Sequence, residues 1–181
     1  GWRLGFPGIK PYWPRSGIAY NDPVYDPCWA FAEQHGLYGL MHISDDAAGA
    51  HSVVDVARRF PRASFLIAHS GGSWNFAAHV AQACQASPNI YAEITLTPVP
   101  NGIVEWLCER VGADRVLFGT DVPMRDGRPQ LGWVVNSRLS AAEKRRVLGE
   151  NFAAILARIR WPRASDLPPV FRVGARKPAR R

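Results

Sequence analysis

The chain has 181 residues, of which 47% are hydrophobic and 20% are charged, an ordinary composition for a globular protein. This length is enough for one domain with a sizeable core. Residues 158–181 hold eight of the 22 Lys and Arg residues and one of the 15 Asp and Glu residues, so the rest of the chain carries no net charge. The excess positive charge is therefore concentrated at the C-terminus rather than spread over the chain. No apolar run is long enough for a membrane span.

Short apolar runs recur along the chain, and each ends on a residue that can bind a metal ion, hold a charge or move a proton. They are PGIK ending at Lys10, GLYGLMH at His42, SFLIAH at His69, NIYAE at Glu93 and RVLFGTD at Asp121. One strand, one crossover helix and two loops need about 30 residues, which is close to the spacing of these ends. The runs are therefore predicted to be the strands of a repeating βα series.

Turn and capping residues place the helices between these strands. After a long loop rich in Pro, Gly and Asp, Asp26 as N-cap and Pro27 at the first position predict a helix that Gly36 ends. The remaining predicted elements are a strand at 37–43, a loop at 44–52, a helix at 53–60, strands at 64–68, 90–96 and 116–119, helices at 74–85 and 102–112, a polar loop at 123–132, and a closing helix that starts at a capping box of Ser140 and Glu143.

This order predicts an α/β fold of about five βα units. A doubly wound sheet would usually carry a Gly-rich phosphate turn, and no such motif occurs, so we favour a partial (β/α) TIM-like barrel. We assign residues 1–160 to this domain and 161–181 to a basic, Pro/Arg-rich C-terminal tail. The tail is expected to be solvated and partly disordered, with contact to nucleic acid or an acidic surface as the alternative.

Three of the strand ends suggest chemistry. His42 fits a metal ligand or a histidine bonded to a backbone carbonyl, and His69, before two glycines, fits a general base, an electrophile or a structural residue. Asp121 fits a metal ligand, a proton acceptor or a turn cap. Because the carboxyl ends of parallel strands meet at one rim, the three together favour hydrolytic metal chemistry.

Four further residues are weaker candidates for substrate binding. Lys10 and Glu93 fit either a substrate contact or an ion pair inside the barrel, and we favour the ion pair. Trp13 and Arg125 lie in predicted loops whose aromatic and Arg residues suit a carboxylated aromatic compound. No GxSxG motif occurs and no Cys ends a strand, which argues against a serine or cysteine nucleophile.

The segments AEQHGLYGLMH, FPRASFLIAHSGG, NIYAEIT and GADRVLFGTDVPM resemble the amidohydrolase-2 branch of the amidohydrolase superfamily, over roughly residues 5–157. The resemblance implies a metal-dependent TIM barrel whose strands four to eight are present here. It implies metal ligation by His42, His69 and Asp121, with His69 and Asp121 also handling protons. The family opens with an HxH pair on its first strand, and this sequence contains no such pair.

We therefore expect a hydrolase acting on a small amide, ester or lactone through a metal-activated water, with zinc as the ion and manganese as the alternative. A non-oxidative decarboxylase of an aromatic acid is one alternative. The other is a truncated, non-catalytic α/β domain that acts by association. We expect a small-molecule substrate, no membrane or nucleic-acid partner, and association of copies through exposed half-barrel edges. Three cysteines without a CxxC motif suggest a reducing compartment, the cytoplasm.

Overall fold

The computed structural model describes residues 2, 5–95 and 99–161. Within them the chain forms one five-stranded sheet in which every neighbouring pair is parallel and the strands follow chain order. The strands are β1 (Gly8–Ile9), β2 (Tyr38–Met41), β3 (Ser64–Ile67), β4 (Ile90–Glu93) and β5 (Val116–Leu117). The predicted α/β series is confirmed.

Helices connect the strands and follow the last one. They are α1 (Trp13–Ser16), α2 (Asp26–His35), α3 (Ala47–Arg59), α4 (Trp74–Ala86), α5 (Ile103–Val111), α6 (Gly127–Val135), α7 (Ala141–Arg145) and α8 (Asn151–Ala157). A π-helical turn, Arg146–Glu150, joins α7 to α8, and single 3₁₀ turns occur at Pro23–Tyr25 and Ala113–Arg115. None of the helices in the described part of the chain is long and apolar enough to cross a membrane.

Side chains at the helix ends explain where the helices begin and stop. Ser73 accepts a hydrogen bond from the backbone N–H of Phe76 at 3.1 Å and so starts α4. Ser140 and Glu143 form the predicted capping box of α7. Gly36 ends α2 with φ of 66°, a left-handed conformation that glycine adopts without strain.

The two faces of the sheet are packed differently. On the outer face, which the helices cover, lies a continuous apolar core that includes Phe65, Ile67 and Ile90 of the strands and Trp29 of α2. The inner face carries a smaller cluster of Leu66, Tyr91, Leu117 and, from α8, Ile155, with Tyr38, Leu40 and Phe152 partly buried beside it. Side chains alternate between faces along a strand, so one set of strands serves both surfaces.

Several predicted loops contain helical structure. Residues 44–52 were predicted as a loop, but α3 already begins at Ala47 because the Asp46 carboxylate accepts from the Gly49 N–H at 2.8 Å. Likewise, α6 runs through the predicted polar loop 123–132, because Asp126 caps it and Pro129 lies in its first turn, where backbone N–H groups have no partner in the helix.

Three smaller differences concern one short helix and two element ends. The helix α1 lies inside the predicted first loop, and Asp26 is the first residue of α2 rather than its cap. Strand β4 was predicted to reach residue 96 but ends at Glu93. Residues 162–181, which make up nearly all of the predicted basic tail, lie outside the described residues, so the domain boundary at 160/161 stays a prediction.

Candidate active site

Polar side chains follow the carboxyl ends of β2, β3, β4 and β5 at one edge of the inner face. His42 directly follows β2, Glu93 is the last residue of β4, and His69 and Asp121 lie in the turns after β3 and β5. A cavity of about 230 Å³ opens there. It is lined by Lys10, Tyr38, Leu40, Leu66, Ala68, His69, Glu93, Thr95, Leu117, Phe118, Gly119, Thr120, Asp121 and Phe152.

The two histidines face each other at the edge of this cavity. His69 Nε2 lies 3.2 Å from His42 Nδ1, and the ring centroids are 4.6 Å apart. The other nitrogen of His69, Nδ1, makes a short hydrogen bond to the carbonyl oxygen of Thr95. A carbonyl can only accept, so Nδ1 carries a proton, and in the Nδ1–H tautomer Nε2 presents its lone pair to His42.

Two backbone positions at the site are unusual. His69 has φ of 62° and Asp121 has φ of 57°, and within the described residues these are the non-glycine positions with positive φ. Asp and His tolerate the left-handed region better than most residues, at some cost in conformational energy. Both residues turn the chain sharply directly after a strand, which places their side chains over the end of the sheet.

His42 is set up to be neutral. Burial lowers its pKa below the ordinary value, and the neighbouring His69 and Lys10 lower it further, while Asp45 and Asp121 oppose them. The Tyr20 hydroxyl donates to the His42 carbonyl oxygen at 2.9 Å, and the Tyr12 ring meets the imidazole edge-on at 5.1 Å. The neutral imidazole, which has one nitrogen lone pair available, is the form that can bind a metal ion.

Glu93 is the buried carboxyl group of the site, with 7% of its surface exposed. Burial raises its pKa to about 7, although hydrogen bonds from the Thr95 hydroxyl and backbone N–H favour the ionised form. The N–H bond, from Thr95 N to Glu93 Oε1, measures 3.1 Å. A carboxyl group with this pKa exchanges a proton readily at neutral pH.

The sequence predictions for substrate residues divide into two groups. Lys10 and Glu93 both line the cavity, Lys10 from an exposed position, but no ion pair within 4.0 Å joins these two described residues, so the favoured ion-pair interpretation was wrong. Trp13 packs edge-on against Tyr20 at 5.6 Å, and Arg125 is exposed with its N–H bonded to the Asp121 carbonyl. Neither of the latter two lines the cavity.

Residues from the middle of the strands were missed by the sequence reasoning. Tyr38, Leu40 and Leu66 form apolar walls, and Thr95 contacts both His69 and Glu93. Alternation could have found Thr95, because it lies two residues after Glu93 and so points to the same face. Phe152 of α8 could not have been found that way, since its position depends on long-range packing.

Comparison with known proteins decides the family. The amidohydrolase family model matches residues 2–158. The chain belongs to the amidohydrolase family. The resemblance of the strand-end motifs to the amidohydrolase-2 branch is confirmed, whereas no curated protein matches the sequence.

Solved structures agree on the fold of this chain. An uncharacterised TIM-barrel protein from Bordetella bronchiseptica is 21% identical, with a TM-score of 0.69, over 85% of this chain and 58% of its own. A 2,6-dihydroxybenzoate decarboxylase from Rhizobium is 14% identical, with a TM-score of 0.65, over 84% and 63%. A dihydroxybenzoic acid decarboxylase from Polaromonas, with bound manganese and 2-nitroresorcinol, is 15% identical, with a TM-score of 0.62, over 84% and 61%.

The chain thus spans about 60% of the length of these TIM-barrel structures. Its five parallel strands with flanking helices correspond to part of such a barrel, which confirms the predicted partial barrel. The inner face of the sheet is the surface that would face the interior of a closed barrel.

The residues at this site fit part of a metal centre. The facing nitrogens of His42 and His69 are placed as two ligands of one ion would be, and the Nδ1 proton of His69 frees its Nε2 for that role. Asp121 lines the same cavity and acts electrostatically on His42. Among the described residues, however, no three His, Cys, Asp or Glu side chains already form a set that could hold a metal ion.

Proposed function

We propose that the chain is the site-bearing part of a metal-dependent amidohydrolase-family enzyme that removes the carboxylate from a small aromatic acid. One observation carries the proposal: the cavity joins apolar walls suited to a ring with a cluster of proton-carrying and cationic groups at one end. The decarboxylases that share the fold support this reaction over the hydrolysis that the sequence favoured.

The walls and the rim have separate tasks in this proposal. Tyr38, Leu40 and Leu66 would contact the faces of an aromatic ring and exclude water from it. The Lys10 ammonium group at the rim would attract the substrate carboxylate. A cavity of about 230 Å³ has room for one ring with small substituents.

His42, His69 and Asp121 would hold the divalent ion. Bound there, a divalent ion would polarise a substrate oxygen or lower the pKa of a bound water. The bound manganese of the Polaromonas decarboxylase supports manganese as the ion, with zinc, the ion expected from the sequence, as the alternative.

Asp121 and Glu93 would manage protons. Decarboxylation of an aromatic acid needs a proton on the ring carbon that bears the carboxylate; the bond between that carbon and the carboxylate then breaks, its electron pair returns to the ring, and CO₂ leaves. Asp121 lines the cavity and would carry that proton on the carboxylate oxygen that does not bind the ion, and the Glu93 carboxyl group, with a pKa of about 7, lines the same cavity and can exchange protons.

Release of CO₂ from a panel of hydroxylated benzoates, measured with manganese or zinc added, tests the proposal. We expect manganese- or zinc-dependent release of CO₂ that His69→Ala reduces at least 100-fold, in line with loss of a metal ligand. His51→Ala is the matched control, because that side chain is 73% exposed and lies away from the cavity. Equal activity in the two variants, or none in wild type with any benzoate, contradicts the proposal.

Hydrolysis is the second enzymatic candidate, and the Asp121 carboxylate in the same cavity favours it as a general base toward a water molecule. The same protein is assayed with aryl esters, lactones and anilides. Metal-dependent turnover of these compounds without CO₂ release from any benzoate would favour hydrolysis.

A non-catalytic role through association is the third candidate. It is supported by the incomplete ligand set among the described residues and by the outermost strands β1 and β5, each of which pairs with one neighbour within the described sheet. Sedimentation velocity distinguishes this role: a fixed dimer without metal or activity supports association of copies, and an active monomer excludes it.

We also propose that the chain resides in the cytoplasm. Cys28, Cys84 and Cys108 are free thiols, and burial raises the pKa of the last two to about 12. Unreactive buried thiols are typical of proteins in reducing compartments.

A further inference from the structure

One residue, Thr95, connects the buried carboxyl group of Glu93 to the imidazole of His69. Its carbonyl oxygen accepts from His69 Nδ1, and its backbone N–H donates to Glu93 Oε1 at 3.1 Å. Its hydroxyl makes a second, short hydrogen bond to the same Oε1 atom. Two donors of Thr95 therefore hold the carboxyl group, and the acceptor of Thr95 holds the imidazole.

The arrangement is tightly packed. Glu93 and Thr95 are 7% and 6% exposed, and the backbone carbonyl of Glu93 accepts from the Ser70 N–H at 2.8 Å. A Cβ atom at Gly119 would overlap both Glu93 Oε1 and Thr95 Oγ1, so strand β5 approaches this pair as closely as glycine allows.

The chemical consequence falls on His69. An imidazole that donates from Nδ1 is fixed in one tautomer and one ring orientation, and Nε2 then has a lone pair directed at His42. If Thr95 could move as a residue, its carbonyl would leave Nδ1, and the ring would also populate the other tautomer, with the proton on Nε2.

We infer that Glu93 is a positioning residue: it anchors Thr95 through the backbone N–H and the hydroxyl of that residue, and the carbonyl of Thr95 in turn holds His69 in the Nδ1–H tautomer with the Nε2 lone pair free to bind an ion. This differs from the substrate contact and from the ion pair with Lys10 that the sequence suggested, because Glu93 Oε1 is already occupied by Thr95. The inference deepens the proposed function and rests on it only for the consequence in catalysis.

The tautomer of His69 is measured directly by ¹⁵N NMR of the imidazole nitrogens in the metal-free protein at pH 8, with His69→Gln used for assignment. Wild type is expected to show protonated Nδ1 and bare Nε2. Glu93→Ala is expected to shift His69 to a mixture of tautomers, whereas Glu93→Gln, whose amide oxygen can accept the same bonds, is expected to preserve the wild-type pattern.

Two further variants keep the test decisive. Glu93→Asp moves the carboxylate oxygen away from Thr95 while retaining the charge, and we expect this variant also to show a mixture of His69 tautomers. It replaces Glu93→Ala if the Glu93→Ala protein does not fold. Glu105→Ala is the matched control, because Glu105 accepts from the Arg138 N–H at 2.9 Å on α5, away from the cavity. Unchanged His69 signals in folded Glu93→Ala or Glu93→Asp, or an equal shift in Glu93→Gln, overturn the inference.

Activity provides a separate readout. Loss of a group that orients a catalytic histidine typically costs about 10–100-fold, and we expect this loss in kcat rather than KM for Glu93→Ala, with recovery in Glu93→Gln. If the protein proves inactive on every substrate, the proposed function fails, but the NMR result still decides the positioning role.

Discussion

The outer and inner faces of the sheet are made by the same strands, yet they differ in what they contain. In β3, Phe65 and Ile67 point outward into the main apolar core, while Leu66 points inward to the small cluster beside α8. The outer face is apolar along its whole length, and the inner face becomes polar at its carboxyl end, where His42 and Glu93 lie.

This difference between the two faces indicates which residues contribute to stability and which contribute to chemistry. Outer residues are fully buried and mutually packed, so their contribution is to the free energy of folding. Inner residues at the carboxyl end include a buried carboxyl group and two left-handed backbone positions, features that cost stability. Substitutions that separate the two faces can break or sharpen this distinction.

The largest effect is expected in the outer core. Phe65 is 0% exposed and meets Trp29 edge-on at 5.6 Å, so Phe65→Ala should lower the free energy of unfolding by about 3–5 kcal/mol. Leu40→Ala, on the half-buried cavity wall, is expected to cost clearly less. Urea denaturation measures both, and an equal cost would mean that the two faces contribute alike.

The next effect is a pH dependence from Glu93. Its pKa is about 7 in the folded protein against an ordinary 4.5, so between these pH values the folded state holds a proton that the unfolded state has lost. The contribution of Glu93 to the free energy of unfolding is therefore fully present below about pH 4.5. It falls by about 2–3 kcal/mol as the pH rises to 7.

Glu93→Gln removes this titration. Relative to wild type, the variant should gain about 2–3 kcal/mol between pH 4.5 and 8. Urea denaturation with a chelator present, at pH 4.5, 6 and 8, measures the difference. A constant difference across this range would show that Glu93 is ionised in the folded protein as it is in the unfolded one.

A smaller effect tests the close packing at the inner rim. Gly119→Ala places a methyl group against Glu93 and Thr95, and such overpacking typically costs about 1–3 kcal/mol. Gly149→Ala is the control, because nothing lies within 4 Å of the added carbon and the position is helical; it should be neutral or stabilising by up to about 1 kcal/mol. Thermal unfolding compares them, and equal effects would argue against a tight rim.

The smallest effect concerns a helix cap that supports the outer face. Ser73→Ala removes the acceptor for the Phe76 N–H at the start of α4 and should cost about 1 kcal/mol. Ser73→Asp keeps an acceptor and should restore most of the stability. A Ser73→Asp variant as unstable as Ser73→Ala would show that the side-chain oxygen is not what matters.

The sequence predicts the strands well because each is a short, nearly continuous apolar run before a polar residue. It also predicts that His42, His69 and Asp121 lie at one edge of the sheet, since parallel strands share a direction. It does not predict α6, because Gly127, Pro129 and Gly132 weigh against a helix that one capping carboxylate and tertiary packing nevertheless stabilise.

The parts of the site that sequence reasoning missed depend on contacts across strands. Glu93 Oε1 is bonded by Thr95, and Gly119, just after β5, lies close to both residues; a one-dimensional pattern does not contain these distances. Similarly, the sequence places Trp13 in a loop, but its ring packs on Tyr20, because part of the first predicted loop forms a short helix against the core.

Metal stoichiometry tests the central claim most directly, namely that His42 and His69 share one ion at the carboxyl end of the sheet. Calorimetric titration of chelator-treated protein with Mn²⁺ or Zn²⁺ should show one site per chain that His42→Ala and His69→Ala each abolish and that Asp121→Ala weakens, while His51→Ala leaves it intact. Absence of a site in wild type, or a site that survives His42→Ala and His69→Ala unchanged, would contradict the account.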